Sequence, residues 1–118
     1  MQLRRETLEK YVELARPILI KVAKGKRGDR SITYKQLMDE MGGPGRGFIG
    51  EVLEEICQSE HHEGRPLLSA LVVHKNNGHP GNGFWETPVV PKDVRNGTKE
   101  VKKNFWEEQC REVWKQWK

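Results

Sequence analysis

The chain has 118 residues, 35% apolar and 32% charged, with a net charge of +4 and a pI near 9.2. This is the length of a single domain, 1–118, with one modest core, and no apolar run approaches the ~20 residues that a membrane span needs. Two cysteines, Cys57 and Cys110, exclude a disulfide scaffold or a four-ligand zinc site. The charged stretch Met1 to Lys10 lacks the apolar centre of a secretory signal, so the chain reads as cytoplasmic and reduced. The basic balance permits nucleic-acid binding without requiring it.

Leu8, Tyr11, Val12, Ala15, Leu19, Val22 and Ala23 recur at spacings of three and four and predict a helix over Leu3 to Ala23. Pro17 either kinks it or starts a second helix. A basic loop, Lys24 to Arg30, follows. Thr33 and Gln36 form a capping box for the next helix, with Ile32 and Leu37 placed as a hydrophobic staple. That helix stops at Gly42-Gly43-Pro44-Gly45. A third, from about Arg46 to Ser59, carries the apolar stripe Phe48, Ile49, Val52, Leu53 and Ile56. The pair is a helix-turn-helix candidate.

Leu67 to Val73 is rich in branched apolar residues and reads as a strand. Asn76 to Gly83 reads as a turn, and Phe84-Trp85 as the start of a returning strand, which makes a two-strand wing. Thr87 to Asn96 reads as an irregular crossing segment. Val101, Phe105, Cys110, Val113, Trp114 and Trp117 share one face of a last helix, about Thr98 to Trp117. That helix is expected to pack against the first.

Gly45-Arg46-Gly47-Phe48-Ile49-Gly50 spells a dinucleotide fingerprint, but a helix precedes it rather than a strand, so it reads as a glycine turn. Glu60-His61-His62-Glu63 holds ligand-type residues, but neighbouring histidines diverge on a helix. The stretch reads as a solvated polar helix end, with no metal. Cys57 and Cys110 fall on apolar faces and read as core residues. No acid–base dyad or nucleophile triad is apparent, and no cofactor is implied.

The cationic residues Lys26, Arg27, Arg30, Lys35, Arg46 and Lys75, with Tyr34, His74 and Asn77, are the candidate DNA contacts. Glu51, Glu54, Glu55 and Glu60 on the third helix repel phosphates, which disfavours a recognition helix deep in the major groove. Trp85 either offers a stacking platform or turns inward with Phe84.

Taken in order, these segments resemble the C-terminal winged-helix domain of the alkylguanine-DNA alkyltransferases and their catalytically dead alkyltransferase-like relatives. The likeness covers Ile32 to Trp85. It is carried by Thr33-Tyr34-Lys35-Gln36-Leu37, by Gly43-Pro44-Gly45-Arg46-Gly47-Phe48-Ile49-Gly50, by Pro66 to Lys75 and by the glycine-spaced turn Gly78 to Phe84. Val73 stands at the alkyl-accepting cysteine position and Val72 at the preceding proline. Arg46 is offset by about one residue, and Glu54 to Gly64 is longer than in the family. The resemblance implies a winged-helix fold without alkyl transfer, DNA contact by Tyr34 and Arg46, and a flipped-base pocket behind His74.

The sequence therefore predicts a mainly α (α+β) winged helix-turn-helix-like domain with a two-strand wing and a long C-terminal helix. The expected function is non-enzymatic binding of DNA or other nucleic acid by a small bacterial or phage protein, away from membranes. The alternative is a protein-interaction module using the tryptophan-rich terminal helix.

Overall fold

Leu67 to Val73 is a run of seven residues without a charge, and each is at most 6% exposed. Burying it on every side organises the rest of the chain. The computed structural model describes residues 4–26, 30–43 and 47–117. It is mainly helical. The elements are α1 (Arg5–Ala23), β1 (Ile32–Thr33), α2 (Tyr34–Met41), α3 (Ile49–His62), a 3-10 turn (Leu68–Leu71), β2 (Val72–Val73), α4 (Asn82–Glu86), α5 (Lys92–Arg95) and α6 (Lys99–Gln116). No helix among the described residues is long and apolar enough to cross a membrane.

The helix α1 is one element through Pro17, whose ring lies on the solvent side. Its buried face is Ala15, Leu19, Val22 and Ala23, the expected stripe. The start of α2 follows its sequence signal closely. Gln36 N–H donates to the Thr33 hydroxyl at 3.1 Å, and Thr33 N–H donates to Gln36 Oε1 at 3.0 Å. Two orphan amides of the first turn are thereby satisfied. Ile32 and Leu37 are both buried. Gly42 ends the helix in the left-handed region, φ 76°, where an added Cβ would be strained. The buried stripe of α3 is Ile49, Val52, Leu53, Ile56 and Cys57.

Four expectations are corrected. Leu67 to Val73 is not one strand but a 3-10 turn followed by two strand residues. Its burial on all sides removes the alternation that separates strand from turn. Phe84-Trp85 is not a returning strand but part of α4. Phe84 is the one buried residue of this five-residue helical turn, so no alternation of buried and exposed residues runs along it. The sheet is therefore not a hairpin: β1 and β2 pair in parallel, Ile32 with Val72 and Thr33 with Val73. Finally, α6 packs chiefly on the 3-10 turn rather than on α1. Trp106 Nε1–H donates to Ala70 O at 2.8 Å, Cys110 Sγ lies 3.6 Å from the same oxygen, and Leu67 N–H donates to Gln109 Oε1 at 3.0 Å. These bonds supply partners for backbone groups that the irregular segment leaves without a ladder.

Glu60 departs from the polar helix end expected of it. The residue is fully buried. Arg16 of α1 donates to Oε1 at 2.7 Å, and Arg65 donates to Oε2 at 2.5 Å. Both guanidinium groups lie over the Trp117 ring, 5.4 and 5.9 Å from its centre. One carboxylate thus ties α1, α3, the lead into the 3-10 turn and the end of α6. Only the carboxylate of this group is fully buried, so removing its two partly exposed arginines would strand a charge in low dielectric. Arg16→Ala/Arg65→Ala should therefore cost about 3–5 kcal/mol in urea unfolding, the range for breaking buried pairs. A loss below about 1 kcal/mol, the worth of a surface pair, would contradict the role given to this clamp.

Candidate nucleic-acid interface

Both α2 and α3 lean on α1 more than on each other, and a groove of about 1000 Å³ opens between them. Tyr34, Lys35, Met38 and Asp39 of α2 form one wall. Ile49, Gly50, Leu53, Glu54 and Cys57 of α3 form the other. Residues 74–76 and 81–84 close one end.

The β1–β2 register decides what stands at that end. Thr33 pairs with Val73, so the next residues, Tyr34 and His74, emerge side by side. Their ring centres are 4.8 Å apart, at 38°. The Tyr34 hydroxyl accepts the Gly81 N–H at 2.8 Å. Burial raises the phenol pKa above its ordinary value while the Gly81 hydrogen bond pulls it down, so the O–H stays protonated at neutral pH and can donate. Gly81 is required by close approach: a Cβ there would lie 2.9 Å from His74 Nε2 and 3.0 Å from the Tyr34 hydroxyl.

The loop that carries His74 is closed on itself. His74 N–H donates to His79 O, and Gly78 N–H to His74 O, both at 2.9 Å. Asn77 Oδ1 accepts the His79 N–H at 2.9 Å, an Asx-type turn that gives this side chain a structural task. Lys75 is exposed at the groove edge. Lys35 is exposed on the facing wall and pairs with Asp39 at 3.1 Å. So open a pair is worth little and exchanges readily for another anion.

The interior is different in character. Glu54 Oε1 accepts from the Thr87 hydroxyl and from Gln58 Nε2, both at 2.7 Å. Glu54, one of the glutamates expected to repel phosphate, sits inside the groove, a position that no local sequence signal marks. Two of its helix neighbours are neutralised: Glu55 is paired with Arg5, and Glu60 with Arg16 and Arg65. Burial pushes the Cys57 thiol up to about 11, against hydrogen bonds from Ser69 and Thr87, with the Glu54 charge adding to the rise. Burial likewise pushes Cys110 up to about 12. Both thiols stay protonated at neutral pH, as core residues do.

Of the expected contacts, Tyr34, Lys35, His74 and Lys75 gather on this groove, and Asn77 supports its loop. Arg30 lies apart, in a second cleft. Lys26 is exposed at the end of α1 and lines neither. Arg27 and Arg46 lie outside the described residues. Phe84 turns into the groove wall, while Trp85 packs against Phe84 and Phe105 at ring distances of 4.9 and 6.5 Å. The aromatic pair therefore turns inward. His61 and His62 are exposed, and no cluster of three or more metal-ligating side chains exists among the described residues. Comparison with protein-family models, curated proteins and solved structures gave no match.

Tyr34→Phe should lose about 0.5–1.5 kcal/mol, the net worth of one hydrogen bond. Gly81→Ala should cost more, because its Cβ must push His74 and Tyr34 apart. It should also shift the His74 ring-proton resonances, which sense the Tyr34 ring. An unaltered His74 spectrum in Gly81→Ala would refute the close packing at this end of the groove.

Proposed function

We propose that the chain is a non-enzymatic nucleic-acid-binding protein that engages DNA through the groove between α2 and α3. The observation that carries this reading is the tilted Tyr34–His74 ring pair at the groove end, flanked by Lys35 and Lys75. Aromatic faces take bases, and exposed lysines take phosphates. The acidic interior, Glu54, suits a base edge that donates hydrogen bonds, such as the exocyclic amine of cytosine, rather than a phosphate. The backbone then runs along the cationic rim while a base, unstacked from its neighbours, enters beside His74.

This arrangement accords with a winged-helix protein of the alkyltransferase-like kind, in which the closed 74–83 loop does the work of a wing. With Val73 at the acceptor position, the reading involves binding and no alkyl transfer. A protein-interaction role for the terminal helix draws less support. All four tryptophans are partly buried, and Trp106 and Trp114 spend their indole N–H groups on backbone carbonyls within the fold.

Salt titration of binding to labelled duplex, single-stranded and base-modified DNA tests this. Each phosphate contact contributes about 0.9 to the log–log salt slope on duplex, so Lys35→Gln/Lys75→Gln should lower the slope by nearly 2. The base-modified or single-stranded probe should bind more tightly than the intact duplex, because its base costs less to unstack. Absence of binding at low salt, or an unaltered slope in the double variant, would overturn the proposal.

A further inference from the structure

A second cleft, of about 260 Å³, is lined by Ala23, Lys24, Arg30, Arg111, Trp114 and Lys115. Four of these six residues are cations and none is acidic. Elsewhere in the fold several cations are matched: Arg5 with Glu9 and Glu55, Arg16 and Arg65 with Glu60, Lys35 with Asp39, Lys103 with Glu107. The four in the cleft have no carboxylate partner among the described residues.

Such a gathering is unfavourable by itself. Arg111 and Lys115 stand four apart on α6, a like-charge spacing whose repulsion Glu107, Glu108 and Glu112 on the same helix offset only in part, since none of them forms an ion pair with either cation. The C-terminal ends of α1 and α6 lie close to Lys24 and Lys115, but two helix ends supply roughly one negative charge between them. That leaves a surplus of positive charge that an anion would relieve. Arg30 is also held in place. Trp114 Nε1–H donates to Arg30 O at 3.0 Å, and the Arg30 guanidinium lies 5.5 Å above the Trp114 ring. A cation fixed in this way loses less freedom on binding.

We propose that this cleft is a phosphate-binding site. Its volume falls below the ~300–1000 Å³ usual for small-molecule pockets, which suits a short run of phosphates better than a whole organic ligand. The phosphates could come from a nucleic-acid backbone or from a nucleotide's polyphosphate chain. The backbone source rests on the function proposed above, and position favours it: Arg30 of the cleft adjoins Ser31 of the groove.

The test follows the indole N–H resonances by NMR, with Trp114 identified by its loss in Trp114→Phe, as tripolyphosphate or a short duplex is added. Both should move Trp114 while leaving Trp106 in place. The variant Arg111→Gln/Lys115→Gln changes two exposed positions and keeps helix propensity. It should lose the tripolyphosphate response, and the salt slope for duplex should fall by about 2. A lost tripolyphosphate response with an unchanged duplex slope supports the site and assigns it to a nucleotide's phosphates. If the wild type binds no duplex, the groove reading fails, and the tripolyphosphate arm still decides the cleft. The proposal is overturned if neither probe moves Trp114, or if the double variant responds as the wild type does.

Discussion

Two residue pairs, Ile32 with Val72 and Thr33 with Val73, hold the candidate site together. A parallel pair needs a long crossover, and here it consists of α2, α3 and the 3-10 turn. The pairing thus fixes both walls of the groove relative to its end. It also sets Tyr34 beside His74. A slip of one residue would reverse every side chain on the slipped strand and separate those rings. The protection against slippage is burial: Ile32 and Val72 lie in the core, at 2% and 0% exposure.

Charge is sorted by depth around this frame. Glu60 is buried and held by two arginines, so its charge stabilises architecture and contributes little to the outer field. Glu54 lies in the groove and takes two hydrogen bonds. The groove's Lys35 and Lys75, and the cleft's Lys24, Arg30, Arg111 and Lys115, are exposed. At the groove rim Lys35 stands beside the exposed carboxylate of Asp39, while Glu54 lies deeper. In the proposed reading the exposed lysines position phosphates and Glu54 meets a base edge.

Local signals in the sequence were legible where local physics decides. Thr33 and Gln36 cap α2 because both partners lie within one turn. The periodic faces of α1 and α3 follow from burial of one side. Leu67 to Val73 misled because a segment buried all round shows no period. Phe84 misled because two adjacent aromatics suggest a strand, while the short helical turn that carries them buries only Phe84. Glu60 was unreadable because Arg16 lies on another helix and its near neighbours, His61 and His62, are exposed. The contact of the Tyr34 and His74 rings required the strand register. The second cleft required residues from three separate segments, Lys24, Arg30 and Arg111, to meet.

The central claim is that nucleic acid meets this chain along the groove between α2 and α3. Amide chemical-shift mapping with a short duplex tests it most directly. The account predicts changes concentrated at Ser31, Lys35, His74, Lys75 and Asn82, with the exposed His61–Gly64 corner unaffected. Shifts centred on that corner, or spread evenly over the surface, would contradict it.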